Sequence, residues 1–145
     1  MGARITRRVT DIGVDADPRQ LVHAVVNEFL PSDRQSQEAM LLFYSFYTAQ
    51  MTDPTLARRE TRTAPDGLIA FVARQIRRAQ ATGAARRDID PELEAAVLTA
   101  ALPGLASNAI VNFYPKADVT RAADYAVDRI FSRPPRAKRR RASCE

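Results

Sequence analysis

Apolar residues recur along this chain with the period of a helix, and no segment alternates apolar and polar positions for the length of a strand. The pattern predicts an all-α protein. Asp17 and Pro18 form an N-cap and first-turn pair, and Leu21, Val22, Val25, Val26, Phe29 and Leu30 follow at helical spacing until Pro31 stops them. A second helix starts at Ser32 or Asp33 and runs to about Thr52. One of its stripes is Met40, Phe43, Tyr47 and Met51 and another is Leu42, Phe46 and Ala49, a width that predicts a central position in the fold.

Asp53 and Pro54 are the expected cap of a third helix, polar at first and then apolar through Leu68, Ile69, Val72, Ile76 and Ala79. Pro65 and Gly67 between the two parts predict a kink or short break, and Gly83 is a fitting stop. Asp90 and Pro91 open the next helix, and from Ala95 to Pro115 no residue is charged. Thr99, Pro103, Gly104, Ser107, Asn108 and Asn112 make that run too polar and interrupted for a membrane span, so the expectation is burial between helices. Its small residues Ala96, Ala100, Ala101 and Gly104 suit a close helix seam, and Pro103 should bend the helix or end its first half. A last helix, from about Ala117 to Phe131, places Val119, Ala123, Ala126, Val127, Ile130 and Phe131 on one side.

The chain of 145 residues, 46% hydrophobic and 27% charged, suits one globular domain. A sequence pI near 10 suggests nucleic acid, yet the charge is concentrated at one end. Residues 133–145 hold six Lys and Arg against one Glu, a net +5 that equals the whole chain's, so residues 1–132 carry sixteen charges of each sign. Two prolines and this charge run cannot pack a core, which predicts a disordered basic tail with at most loose, salt-sensitive attraction to phosphates. Cys144 is the only cysteine, so no internal disulfide is available, and residues 1–20 have no apolar h-region. A cytoplasmic protein is expected.

No catalytic or metal constellation emerges, and no cofactor is expected. His23, the only histidine, lies on the polar side of its helix without a second histidine or cysteine nearby. Asp88, Asp90, Glu92 and Glu94 flank a helix start, where carboxylates favour the positive end of the helix dipole. The sharper candidate is a small-molecule pocket lined by Met40, Phe43, Tyr44, Tyr47, Met51, Leu68, Phe71 and Val72, with Gln75 and Asn108 as its polar groups. A filled core would use the same apolar residues, which leaves a helical homodimeric interaction protein without ligand as the alternative.

The run QATGAARRDIDPELEAAVLTAALPGLASNAIV resembles the C-terminal half of TetR-family regulators: Gly83 ends a helix, a basic loop follows, Asp90, Pro91 and Glu92 open a long helix, and Gly104 and Leu105 lie within it. The aromatic second helix followed by TDPTLARR resembles the family too, over residues 17–131 in all. The resemblance implies a five-helix or six-helix orthogonal bundle that encloses a cavity for a small apolar or aromatic effector. It also implies a homodimer whose last two helices pair with their twins as a four-helix bundle, through Val97, Ala100, Ala101, Gly104, Leu105, Ala123, Val127 and Ile130. Residues 1–16 look like a connecting-helix remnant or a flexible start, and 17–132 like the ligand-binding and dimerisation domain. Family members read DNA through an N-terminal helix-turn-helix, which this chain is expected to lack, as a fragment or as a short relative. Pro65 and Gly67 depart from the family's usually continuous helix.

Overall fold

The computed structural model describes residues 2–13, 15–53 and 59–131, with backbone alone for 59–65. The described residues form six helices and no strand: α1 (Gly2–Ile12), α2 (Pro18–Phe29), α3 (Arg34–Thr52), α4 (Arg59–Ala81), α5 (Pro91–Ile110) and α6 (Lys116–Phe131). The expected all-α bundle is therefore found. Its boundaries follow from local chemistry. Asp17 accepts the Gln20 N–H ahead of Pro18, Asp33 and Ser36 form a reciprocal capping box, and Asp90 accepts from Glu92 and Leu93. Gly83, at φ +72°, ends α4 with the Ala84 N–H bonded to Ala79 O and its own N–H to Gln80 O, a Schellman closure. Asn112, at φ +52°, performs the same task after α5, where the Phe113 N–H reaches Asn108 O.

The centre of the fold is α2. Leu21, Val22, Ala24, Val25, Val26 and Phe29 are all buried, and α1, α4, α5 and α6 pack around the helix that carries them. The prediction of a central α3 is corrected, since only Ser36 and Met40 of its nineteen residues are buried. A helix with two apolar stripes can cover only one of them against a single neighbouring body. Here Met40, Phe43 and Tyr44 meet the core, while Leu42 is 72% and Phe46 51% exposed.

Three further expectations change in detail. The helix assignment of α4 runs unbroken through Pro65 and Gly67, so an interruption there takes at most the form of a bend. Asp53 serves as the C-cap of α3, and the start expected at Pro54 lies outside the described residues, as does the tail of residues 133–145. Likewise α5 continues past Pro103 to Ile110. It has the length and apolarity of a membrane span, but Ala95, Leu98, Leu102, Ala106 and Ala109 are buried against helices of its own chain. Residues Gly2–Ile12 are helical and pack Ile5, Val9 and Ile12 against the core.

Candidate functional site

Two regions of the sequence were expected to carry function, and the fold places them on adjoining faces of the same helix, α5. On one side α3 is fastened to α5 by a hydrogen bond from the Tyr44 hydroxyl to the Pro103 carbonyl. Burial pushes the Tyr44 phenol above its ordinary pKa, against an opposing effect of Ser107. The Phe43 ring lies edge-on to Tyr44 with centroids 5.8 Å apart and stacks on Tyr47 at 6.0 Å, so three aromatic rings of α3 form one connected group. Leu68 and Phe71 of α4 are half-buried and pack against the same core as Phe43 and Tyr44. Arg74 lies over the Phe71 ring at 5.4 Å.

The remaining expected pocket residues divide by burial. Met40, Val72 and Gln75 are at most 2% exposed, whereas Tyr47 and Met51 are 54% and 72% exposed because the second half of α3 runs beyond the body. Gln75 has its carbonyl occupied, since Arg78 Nη1 donates to its Oε1 at 2.7 Å. Asn108 is half-buried, and its backbone carbonyl accepts the Phe113 N–H described above.

The adjoining face of α5 is bare. Val97 is 58% exposed, Ala100, Ala101 and Gly104 are exposed, and Leu105 is half-buried. A Cβ built on Gly104 meets nothing within 4 Å. The α6 residues expected beside them are corrected: Ala123, Val127 and Ile130 are at most 1% exposed, committed to their own chain, and have no surface left for a second copy. An apolar helix face reads the same whether its partner belongs to the same chain or to another. Residues that α6 does present outward include Ala122 and Tyr125, the latter 71% exposed.

Charged contacts between helices were invisible to sequence reasoning. Arg4 reaches Glu28 at 3.0 Å, Arg129 reaches Glu94 at 2.8 Å, Arg19 Nε donates to Asp128 at 3.2 Å, and Arg77 pairs with Glu92. His23, expected on a polar surface, joins α2 to α6. With the Asn27 amide oriented to donate to His23 Nδ1 at 2.9 Å, the Nε2–H donates to Asp124 Oδ1 at 2.7 Å. A shallow open depression of about 630 Å³ runs over α6 beside these groups, but its Asp118, Asp124 and Asp128 are each already paired, with Arg121, His23 and Arg19. Gln80 clips the loop before α5, its Nε2 donating to the carbonyls of Arg86 and Ile89 at 2.8 and 3.0 Å.

The arrangement of the described residues is that of an all-helical domain. The fold superposes with a TM-score of 0.77 on a solved structure described as a TetR-family transcriptional regulator from Rhodococcus sp., at 23% identity, covering 90% of this chain and 69% of that one. The family model for the C-terminal domain of BetI-type transcriptional repressors matches residues 18–132. The chain belongs to this family, within the TetR regulators. No curated protein sequence matches it.

Proposed function

We propose that this chain is the effector-sensing and dimerising portion of a cytoplasmic TetR-like repressor, and that the effector is a small apolar or aromatic molecule held between α3, α4 and α5. The observation that carries the reading is the division of α5 into two faces. Its outward face, with Val97, Ala100, Ala101 and Gly104, is small, uncharged and uncovered, which suits close packing against the same helix of a second copy. Another face meets aromatic α3, where the Tyr44 hydroxyl donates to the Pro103 carbonyl.

In this reading operator contact is made by a helix-turn-helix outside these residues, and effector binding changes the geometry between subunits. The coupling can be no larger than the effector's preference for one geometry over the other. Sedimentation equilibrium and a titration with naphthalene, followed by the probe's own fluorescence, test the two halves together. A dimer that takes up naphthalene saturably, one molecule per subunit, supports the proposal. The alternative, a homodimeric interaction protein with a filled core, draws on the burial of Met40, Val72 and Gln75, and predicts a dimer with no saturable uptake.

A further inference from the structure

One buried side-chain polar atom among the described residues has no hydrogen-bond partner, the hydroxyl of Thr99 on α5. Its oxygen is shielded from solvent although the residue as a whole is only half-buried, so the hydroxyl points inward rather than toward water. Leaving such a group unpaired is costly, and buried hydroxyls are nearly always met by protein, water or ligand.

The position of Thr99 narrows the choice. It precedes Pro103 by four residues, one helical turn, and so shares with Pro103 the side of α5 that Tyr44 touches. Because Pro103 has no N–H, the Thr99 backbone carbonyl also lacks its normal intrahelical donor four residues on. A hydroxyl and a carbonyl of one residue therefore lie without their usual partners, one turn from the α3 aromatic group. Of the polar residues expected to serve a ligand there, Gln75 is less available, since its carbonyl is held by Arg78.

We infer that the Thr99 hydroxyl is the hydrogen-bonding anchor of the effector site, and that the effector is an aromatic or apolar molecule carrying a neutral hydrogen-bonding group such as a hydroxyl. The inference rests on the effector site proposed above and adds to it a specificity-determining residue and the chemical class of the ligand's polar end. A neutral group is favoured because Thr99 offers no charge, and Arg78 is occupied by Gln75 and by the carbonyls of Asp15 and Ala16.

The test compares 2-naphthol with naphthalene, two probes that differ by one hydroxyl, on the wild-type chain and on Thr99→Val and Thr99→Ser. Wild type is expected to bind 2-naphthol about three- to tenfold more tightly than naphthalene, the usual worth of one net hydrogen bond. Thr99→Val should abolish that preference and Thr99→Ser should keep it. Without ligand, Thr99→Val should raise Tm, because it deletes an unpaired buried hydroxyl at nearly constant shape. Saturable naphthalene binding with no preference for 2-naphthol, or a preference that survives Thr99→Val, overturns the role of Thr99 and leaves the site standing. A lower Tm for ligand-free Thr99→Val shows the hydroxyl already satisfied within the protein, and overturns the role as well. Failure of both probes to bind wild type removes the site itself, and the anchor with it.

Discussion

Substitution at Gly104 separates what α5 does within its own chain from what it does between chains. Gly104 lies in the interior of α5, is exposed, and has no atom within 4 Å of the place where a Cβ would stand. Within one chain, then, Gly104→Ala meets no obstacle and gains the difference in helix propensity, about 1 kcal/mol. For a domain of this size that is worth a rise of roughly 3 °C in Tm. Gly104→Leu is nearly as good a helix former and starts from the same open Cβ position, but it places a bulky side chain where two α5 helices are proposed to approach. The account therefore predicts opposite signs in two assays on Gly104→Leu. Urea unfolding in dilute protein, where monomers predominate, should show unchanged or greater stability, while sedimentation equilibrium should show dimerisation weakened at least about tenfold, equivalent to about 1.4 kcal/mol. Equal dimerisation of wild type and Gly104→Leu would refute the seam, and a loss of stability in dilute protein would refute the open surface around Gly104.

Other expectations follow from single interactions. Tyr44→Phe removes the hydroxyl that holds α3 to the Pro103 carbonyl, and should cost about 1 kcal/mol in urea unfolding, with faster amide exchange in α3. The Asp33 carboxyl is held below its usual pKa by hydrogen bonds from the Ser36 backbone and side chain. Its stabilisation is therefore complete above the ordinary carboxylate range and is lost as pH falls through the depressed folded value, so Asp33→Asn should flatten the acid limb of the stability profile. Gly83→Ala forces an L side chain into positive φ and should lower stability by about 1 kcal/mol, read as a shift in the urea midpoint.

Much of the fold can be read from sequence because helix ends are local events. Asp17, Asp33, Gly83 and Asp90 mark boundaries through bonds to residues two to five positions away, and the structure keeps all four. Burial is a different matter, since hydrophobic spacing identifies a face and not what covers it. Thus α3, with the broader apolar surface, lies at the margin, while the narrower stripe of α2 occupies the centre. The same ambiguity put Ala123, Val127 and Ile130 at a subunit seam when they belong to the chain's own core. Ion pairs such as Arg4 with Glu28 and Arg19 with Asp128, like the His23 to Asp124 bond, join residues 24 to 109 positions apart, a distance over which no periodicity speaks. Of the candidate site, the aromatic character of α3 and the small residues of α5 were legible. Thr99 was not, because its distinguishing feature is a missing bond rather than a residue type.

The central claim, that the bare face of α5 meets its twin, is tested most directly by disulfide trapping. Ala100→Cys in a Cys144→Ser background places one thiol on that face, and mild oxidation of dilute protein should give a covalent dimer that reducing agent reverses. A control thiol at Arg34→Cys, on the exposed first turn of α3 and away from α5 and α6 in the expected bundle, sets the level of collisional cross-linking. Efficient trapping at position 100 above that control is the predicted result, and a monomer at position 100, or trapping no better than the control, would contradict the account.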